Sequence, residues 1–158
     1  MTRARHIWAA AAGATALTAG LLALPPSASA AAVPNGTCGS GYSRVATYDM
    51  RNDLTTTTPH VGGHVYVYYS AASGKNCAIA RPIAAWVGKN TYVSVCISLG
   101  DKYSSRQSCD GYGQRYRFFA GPVYVSARHQ CISIEGYLVS PTAASWPYDV
   151  LASHILCG

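Results

Sequence analysis

The chain has 158 residues, 12 Lys and Arg against 6 Asp and Glu, 49% hydrophobic and 11% charged side chains. That is one domain's worth of chain, with less than half the roughly 25% charge usual in soluble domains. Disordered, coiled-coil and acidic-tail classes, which need abundant charge, are thereby excluded.

Residues 1–30 read as a secretory signal peptide. Arg3 and Arg5 give a positive start, Ile7 to Leu24 is an Ala/Leu-rich run interrupted by Gly13, Thr15, Thr18 and Gly20, and Pro25-Pro26 leads to Ser27-Ala28-Ser29-Ala30. This three-part pattern, ending in a small-residue cleavage site, marks export rather than a membrane anchor. Arg3 and Arg5 are separated by Ala4, so the twin-arginine pair is absent and general secretion is preferred. The expected product, residues 31–158, is a single extracellular β domain with no membrane attachment after cleavage. Losing Arg3 and Arg5 leaves 10 basic and 6 acidic side chains, a net charge of +4. A chain of this size buries roughly two thirds of its unfolded surface, enough for one core with little margin.

All six cysteines, Cys38, Cys77, Cys96, Cys109, Cys131 and Cys157, follow the signal. An even count in an exported chain implies three disulfides. Their gaps, 13 to 39 positions, lack the close Cys/His spacing of a metal site, and no cofactor motif is present. Six cysteines allow 15 connectivities in general, but Cys96 and Cys109 flank a short polar segment, Leu99 to Ser108, between two strand-like runs. That segment reads as a hairpin loop closed by its own disulfide.

In chain order, strands are expected at Ser43 to Tyr48, His64 to Tyr69, Asn76 to Ile83, Thr91 to Ser98, Gln114 to Phe119, Val123 to Ser126 and Cys131 to Glu135. The clearest alternate apolar and polar residues with period two. Breaks fall at Gly62-Gly63, Ser73 to Lys75 and Asp110 to Gly113. Thr55 to Pro59 reads as a loop, and Thr142 to Ser153 as room for a short helix interrupted by Pro147. About seven short strands make a compact antiparallel β-sandwich or barrel, all-β and disulfide-braced.

Alternation also sorts faces. If Val65, Val67, Val93, Val95, Ile97, Val123, Val125, Ile132 and Ile134 face the core, the opposite face collects Tyr66, Tyr68, Tyr92 and Tyr124. Such a Tyr/Ser face is a candidate platform for sugars or protein; the same rings are also ordinary strand formers covering a sheet. The basic residues Lys102, Arg106, Arg115, Arg117 and Arg128 concentrate in one stretch, and Arg115 and Arg117 are the candidate contacts to anionic wall polymers. A net charge of +4 is too modest to specify nucleic acid.

Catalytic constellations are missing. There is no Gly-x-Ser-x-Gly elbow and no His-Glu-x-x-His. The carboxylates Asp49, Asp53, Asp101, Asp110, Glu135 and Asp149 are scattered. His60 and His64 are separated by Gly62-Gly63 and read as a surface turn, and His129 and His154 have no recognisable partner. Asn35-Gly36-Thr37 fits a glycosylation sequon.

Several segments together carry a resemblance: Asn35-Gly36-Thr37-Cys38-Gly39-Ser40-Gly41-Tyr42, Ser73-Gly74-Lys75-Asn76-Cys77, Phe119-Ala120-Gly121-Pro122-Val123-Tyr124-Val125, Cys131-Ile132 and Cys157-Gly158. In this order they resemble the spore-associated protein A family of streptomycetes, small secreted proteins found with aerial spores. The resemblance implies no enzyme activity and no agreed binding residues. It implies a common core with cysteines matching Cys38, Cys77, Cys131 and Cys157, so Cys96 and Cys109 stand as an added pair. Cys38 with Cys77 and Cys131 with Cys157 are the remaining expected bridges. The segment Ser133-Ile134-Glu135-Gly136-Tyr137 lacks a tryptophan that the resemblance leads one to expect. The function expected is that of a secreted, non-enzymatic protein associated with the spore or cell surface. The alternatives are a wall-glycan binding module and a small secreted hydrolase or hydrolase inhibitor.

Overall fold

The computed structural model describes residues 36–52, 60–141 and 147–158, all within one compact unit, Ala31–Gly158. The signal segment, Asn35 of the sequon, Asp53, the loop at 55–59 and residues 142–146 of the possible helix lie outside the described residues.

Nine strands are present: β1 (Ser43–Asn52), β2 (His60–Ser70), β3 (Lys75–Pro82), β4 (Thr91–Leu99), β5 (Gln107–Asp110), β6 (Arg115–Tyr116), β7 (Ala120–Ser126), β8 (Ile132–Leu138) and β9 (Tyr148–Ile155). Every pairing is antiparallel. The sheet runs β5-β4-β8-β9-β1-β2-β3-β7, with β6 paired to β4, and curls into a nearly closed barrel. Among the described residues no backbone ladder joins the two end strands, β5 and β7. A side chain does so instead. Gly121 N–H on β7 donates to Asp110 Oδ2 on β5 (2.7 Å), and the Tyr116 hydroxyl on β6 donates to Oδ1 (2.8 Å).

The apolar set expected from alternation fills the barrel, joined by Met50, Ala78, Ala80, Leu99, Ala120, Ala127 and Leu138. A smaller cluster lies outside the barrel, where Cys38 docks on Cys77 and Ile79 of β3, with Tyr42, Tyr68 and Phe119 around it. The disulfides are Cys38–Cys77, Cys96–Cys109 and Cys131–Cys157. Cys96 and Cys109 are direct cross-strand partners, so this bridge closes the β4–β5 hairpin.

Five expectations change. Gly62 and Gly63 do not break the chain but lie buried within β2. A Cβ on Gly62 would sit 2.4 Å from the Tyr148 ring, and one on Gly63 2.5 Å from both the Arg81 carbonyl oxygen and Met50; the glycines admit close neighbours, as strand glycines often do. His60 and His64 therefore belong to β2, not to a surface turn. Residues 148–153, expected within a short helix, belong to β9 instead, because β1 and β8 both offer an edge there. The stretch at Gln114 to Phe119 is reduced to the two residues of β6, while Gln107–Asp110, expected as hairpin loop and break, is β5.

Candidate functional site

The outer face of β4 and β8 carries a concavity. Ser94 pairs with Tyr137 and Cys96 with Glu135, and directly paired residues share a face. The segment after β5 folds back over this face. Gly111, at φ +87°, runs so close to β4 that a Cβ would come 2.2 Å from the Val93 carbonyl oxygen; only glycine meets both demands. It sets Tyr112, 77% exposed, above the sheet. The result is a groove of about 410 Å³ lined mainly by Tyr92, Ser94, Tyr112, Glu135, Tyr137 and Val139.

The described ring pairs in contact are Tyr42–Tyr124, His64–Tyr66 and Trp86–Tyr148, so the three groove tyrosines do not stack on one another. At one end the Arg115 guanidinium lies 4.0 Å from the centre of the Tyr92 ring and donates to the Asn90 carbonyl oxygen at 3.4 Å. Further along, the half-buried Glu135 carboxylate makes no hydrogen bond among the described residues. Lys102 is its cationic neighbour: that ammonium is held above the usual lysine range first by its contact with Tyr103 and further by the Glu135 charge. Asp149, exposed on β9, is the direct partner of Tyr137 and adds a second carboxylate on this face.

The four tyrosines expected on an outer face divide. Tyr68 and Tyr124 flank Cys77 in one cross-strand row, beneath the segment that carries Cys38. The Tyr124 hydroxyl donates to the Cys38 carbonyl oxygen (3.1 Å), and its ring meets Tyr42 edge-on at 5.7 Å. Burial, with a smaller push from Tyr42, raises its pKa. Tyr66 lies near these on β2, with the Arg44 guanidinium 5.5 Å from its ring. Tyr92 belongs to the groove instead. Arg115 reaches the groove through Tyr92, whereas Arg117 is exposed and contributes its carbonyl oxygen to Gly88 N–H.

His64, His129 and His154 have partners the sequence did not reveal. His64 Nδ1 is 2.9 Å from Asp49 Oδ1 across the β1–β2 ladder, and Asp49 also pairs with Arg51 at 2.6 Å. Burial pushes the Asp49 carboxyl up, but bonds and charge from Arg51 and His64 outweigh it and leave the pKa lowered. His154 Nε2 is 3.1 Å from Asp101, and His129 Nδ1 is 3.2 Å from the Gly158 carbonyl oxygen. His129 lines a second, apolar groove of about 380 Å³ with Val45, Tyr69, Leu156 and Gly158. None of these histidines lines the tyrosine groove. Among the described residues no group of three His, Cys, Asp or Glu side chains is arranged to hold a metal ion, and no helix is long and apolar enough to cross a membrane.

Tyr112, Glu135 and Tyr137 were not singled out from sequence as binding residues. The usable signals were the Gly-Tyr-Gly turn at 111–113 and the outward phase of Glu135 and Tyr137 against Ile132 and Ile134. The segment lacking the tryptophan thus supplies two of the groove's side chains.

Fold and groove together define a small disulfide-braced β-barrel protein with an aromatic surface site. The chain is 36% identical over 142 residues to Spore-associated protein A of Streptomyces coelicolor, covering 84% of this chain and 79% of that protein. It belongs to the spore-associated protein A family. No family model and no solved structure matches it.

Proposed function

We propose that this protein is exported, loses residues 1–30 after Ala30, and acts outside the cell as a non-enzymatic protein held on the spore or cell surface. The observation that carries this reading is the similarity to Spore-associated protein A across most of both chains. Three disulfides support an oxidising compartment. The non-enzymatic reading is supported by the location of the His–Asp contacts, which lie on open strand surface and loops away from the groove, where no water-excluded site surrounds them. Its partners are surface polymers of the spore or wall, and it needs no cofactor.

The test is fractionation of the producing culture into medium, mycelial wall and spore wash, with intact-mass measurement of the recovered protein. A mature chain starting near Ala31 and enriched on spores or wall is the expected result. Recovery from the cytoplasm with residues 1–30 retained would overturn the proposal.

A further inference from the structure

We propose that the Tyr92–Tyr112–Tyr137 groove binds a glycan bearing protonated amines, an oligomer or polymer of amino-hexose with free amino groups. The proposal rests on the surface-association reading for its setting, but its chemistry comes from the groove.

The three rings have the form of a saccharide platform. Tyr112 and Tyr137 are 77% and 41% exposed and stack on no other ring, so each can offer a face to the C–H surface of a pyranose ring; Tyr92, 36% exposed, has one face covered by the Arg115 guanidinium and bounds the groove. Tyrosine supplies such a face at low conformational cost and keeps a hydroxyl at its tip for the sugar's own hydroxyls. Ser94 and the Glu135 carboxylate add the few polar groups that fix orientation in an otherwise apolar site.

Charge selects among sugars. The protein is basic overall, yet Glu135 stands in the groove and Asp149 beside Tyr137; Arg51, opposite Asp149 on β1, is paired with Asp49. Glu135 makes no hydrogen bond among the described residues, and Lys102, its cationic neighbour, is engaged with Tyr103, whose ring centre lies 4.6 Å from the ammonium. A half-buried carboxylate with free acceptor capacity among tyrosines suits an ammonium donor, through a charge-assisted hydrogen bond and attraction to the ring faces. Arg115 would repel such a ligand only at the Tyr92 end. Cys96, the partner of Glu135, is four residues from Tyr92, roughly 13 Å along the strand. A neutral sugar would offer the Glu135 carboxylate no charge-assisted hydrogen bond, and an anionic wall polymer would meet it unfavourably.

The experiment titrates the mature, disulfide-intact protein with glucosamine, N-acetylglucosamine and glucose oligomers of equal length by calorimetry. It is run where the sugar amine is protonated and again where it is neutral, with carboxylates ionised in both. Binding is expected for the glucosamine oligomer, weakening when the amine is neutral. Tyr112→Ala and Glu135→Gln should each weaken it about tenfold. Tyr66→Ser, on a different part of the barrel, should not change it. Tyr112 and Glu135 lie on the outer surface, and unchanged circular dichroism verifies that the variants fold. Equal binding of the N-acetylated or neutral oligomers, indifference to Glu135→Gln, or no binding at all would overturn the assignment. Retention on spores is measured in parallel: a retained protein that binds no glucosamine oligomer refutes this inference alone, and a binder absent from spores and wall refutes the surface reading alone.

Discussion

Asp110 is the residue on which closure of the barrel is expected to turn. Its carboxylate bonds Gly121 N–H at 2.7 Å and the Tyr116 hydroxyl at 2.8 Å, linking β5, β6 and β7 where the ladder stops. Asp110→Ala removes both acceptors: Gly121 N–H is left partly buried without its partner, while the Tyr116 hydroxyl keeps Gln114 Oε1 at 3.1 Å. Hydrogen bonds to a charged group contribute about 1.5–3 kcal/mol each, but partial exposure and the shared acceptor bring the pair to about 2–4 kcal/mol. For a domain of this size each kcal/mol moves the midpoint by roughly 4 °C, so Tm should fall by about 8–16 °C. Asp110→Asn keeps one carbonyl oxygen for Gly121 N–H and should lose about half as much. Asp101→Ala, at a side chain 78% exposed, should change stability by less than about 0.5 kcal/mol. Thermal unfolding followed by circular dichroism, disulfides intact, measures all three. An Asp110→Ala protein as stable as the Asp101→Ala control would refute the reasoning and show that packing of β7 alone holds the seam.

Gly136→Ala should destabilise by about 1–3 kcal/mol through overpacking, since its Cβ would lie 2.4 Å from Val65 and 3.0 Å from the Met50 sulfur; denaturant unfolding reads the loss. Peptide mapping under non-reducing conditions should find no free thiol and a Cys96–Cys109 link, and the double Cys→Ala variant at those positions should lose about 3 kcal/mol in the chain-entropy account. Asp49 has a folded pKa below its unfolded value of about 3.9, so its contribution is present above pH 4 and lost as pH falls through the folded pKa. Comparing Asp49→Asn with the native protein by denaturant melts should therefore show a gap near neutral pH, under about 1 kcal/mol for so exposed a cluster, that closes at strongly acidic pH. A gap that widens on acidification would reverse the assigned sign.

Period-two alternation was sufficient to identify the all-β class and much of the barrel core, because the strands turn one face inward and side chains alternate between bulges. Val65, Val93, Ile97 and Ile134 could be placed from their neighbours alone, and the short span between Cys96 and Cys109 marked a hairpin for the same local reason. What sequence could not supply was anything set by strands distant in the chain. Gly62-Gly63 looked like a break until Tyr148 and Met50 occupied the space their missing Cβ atoms leave. Residues 148–155 carry too weak an alternation to declare a strand, and became one because β1 and β8 offered it partners. The outward tyrosines were visible one strand at a time, but which rings share a surface depends on strand order. The order β5-β4-β8 brings Tyr92, Tyr112, Glu135 and Tyr137 together, while β2-β3-β7 puts Tyr68 and Tyr124 beneath the Cys38 segment. Local periodicity determines which side of a strand a residue takes; only the assembled sheet decides what stands beside it.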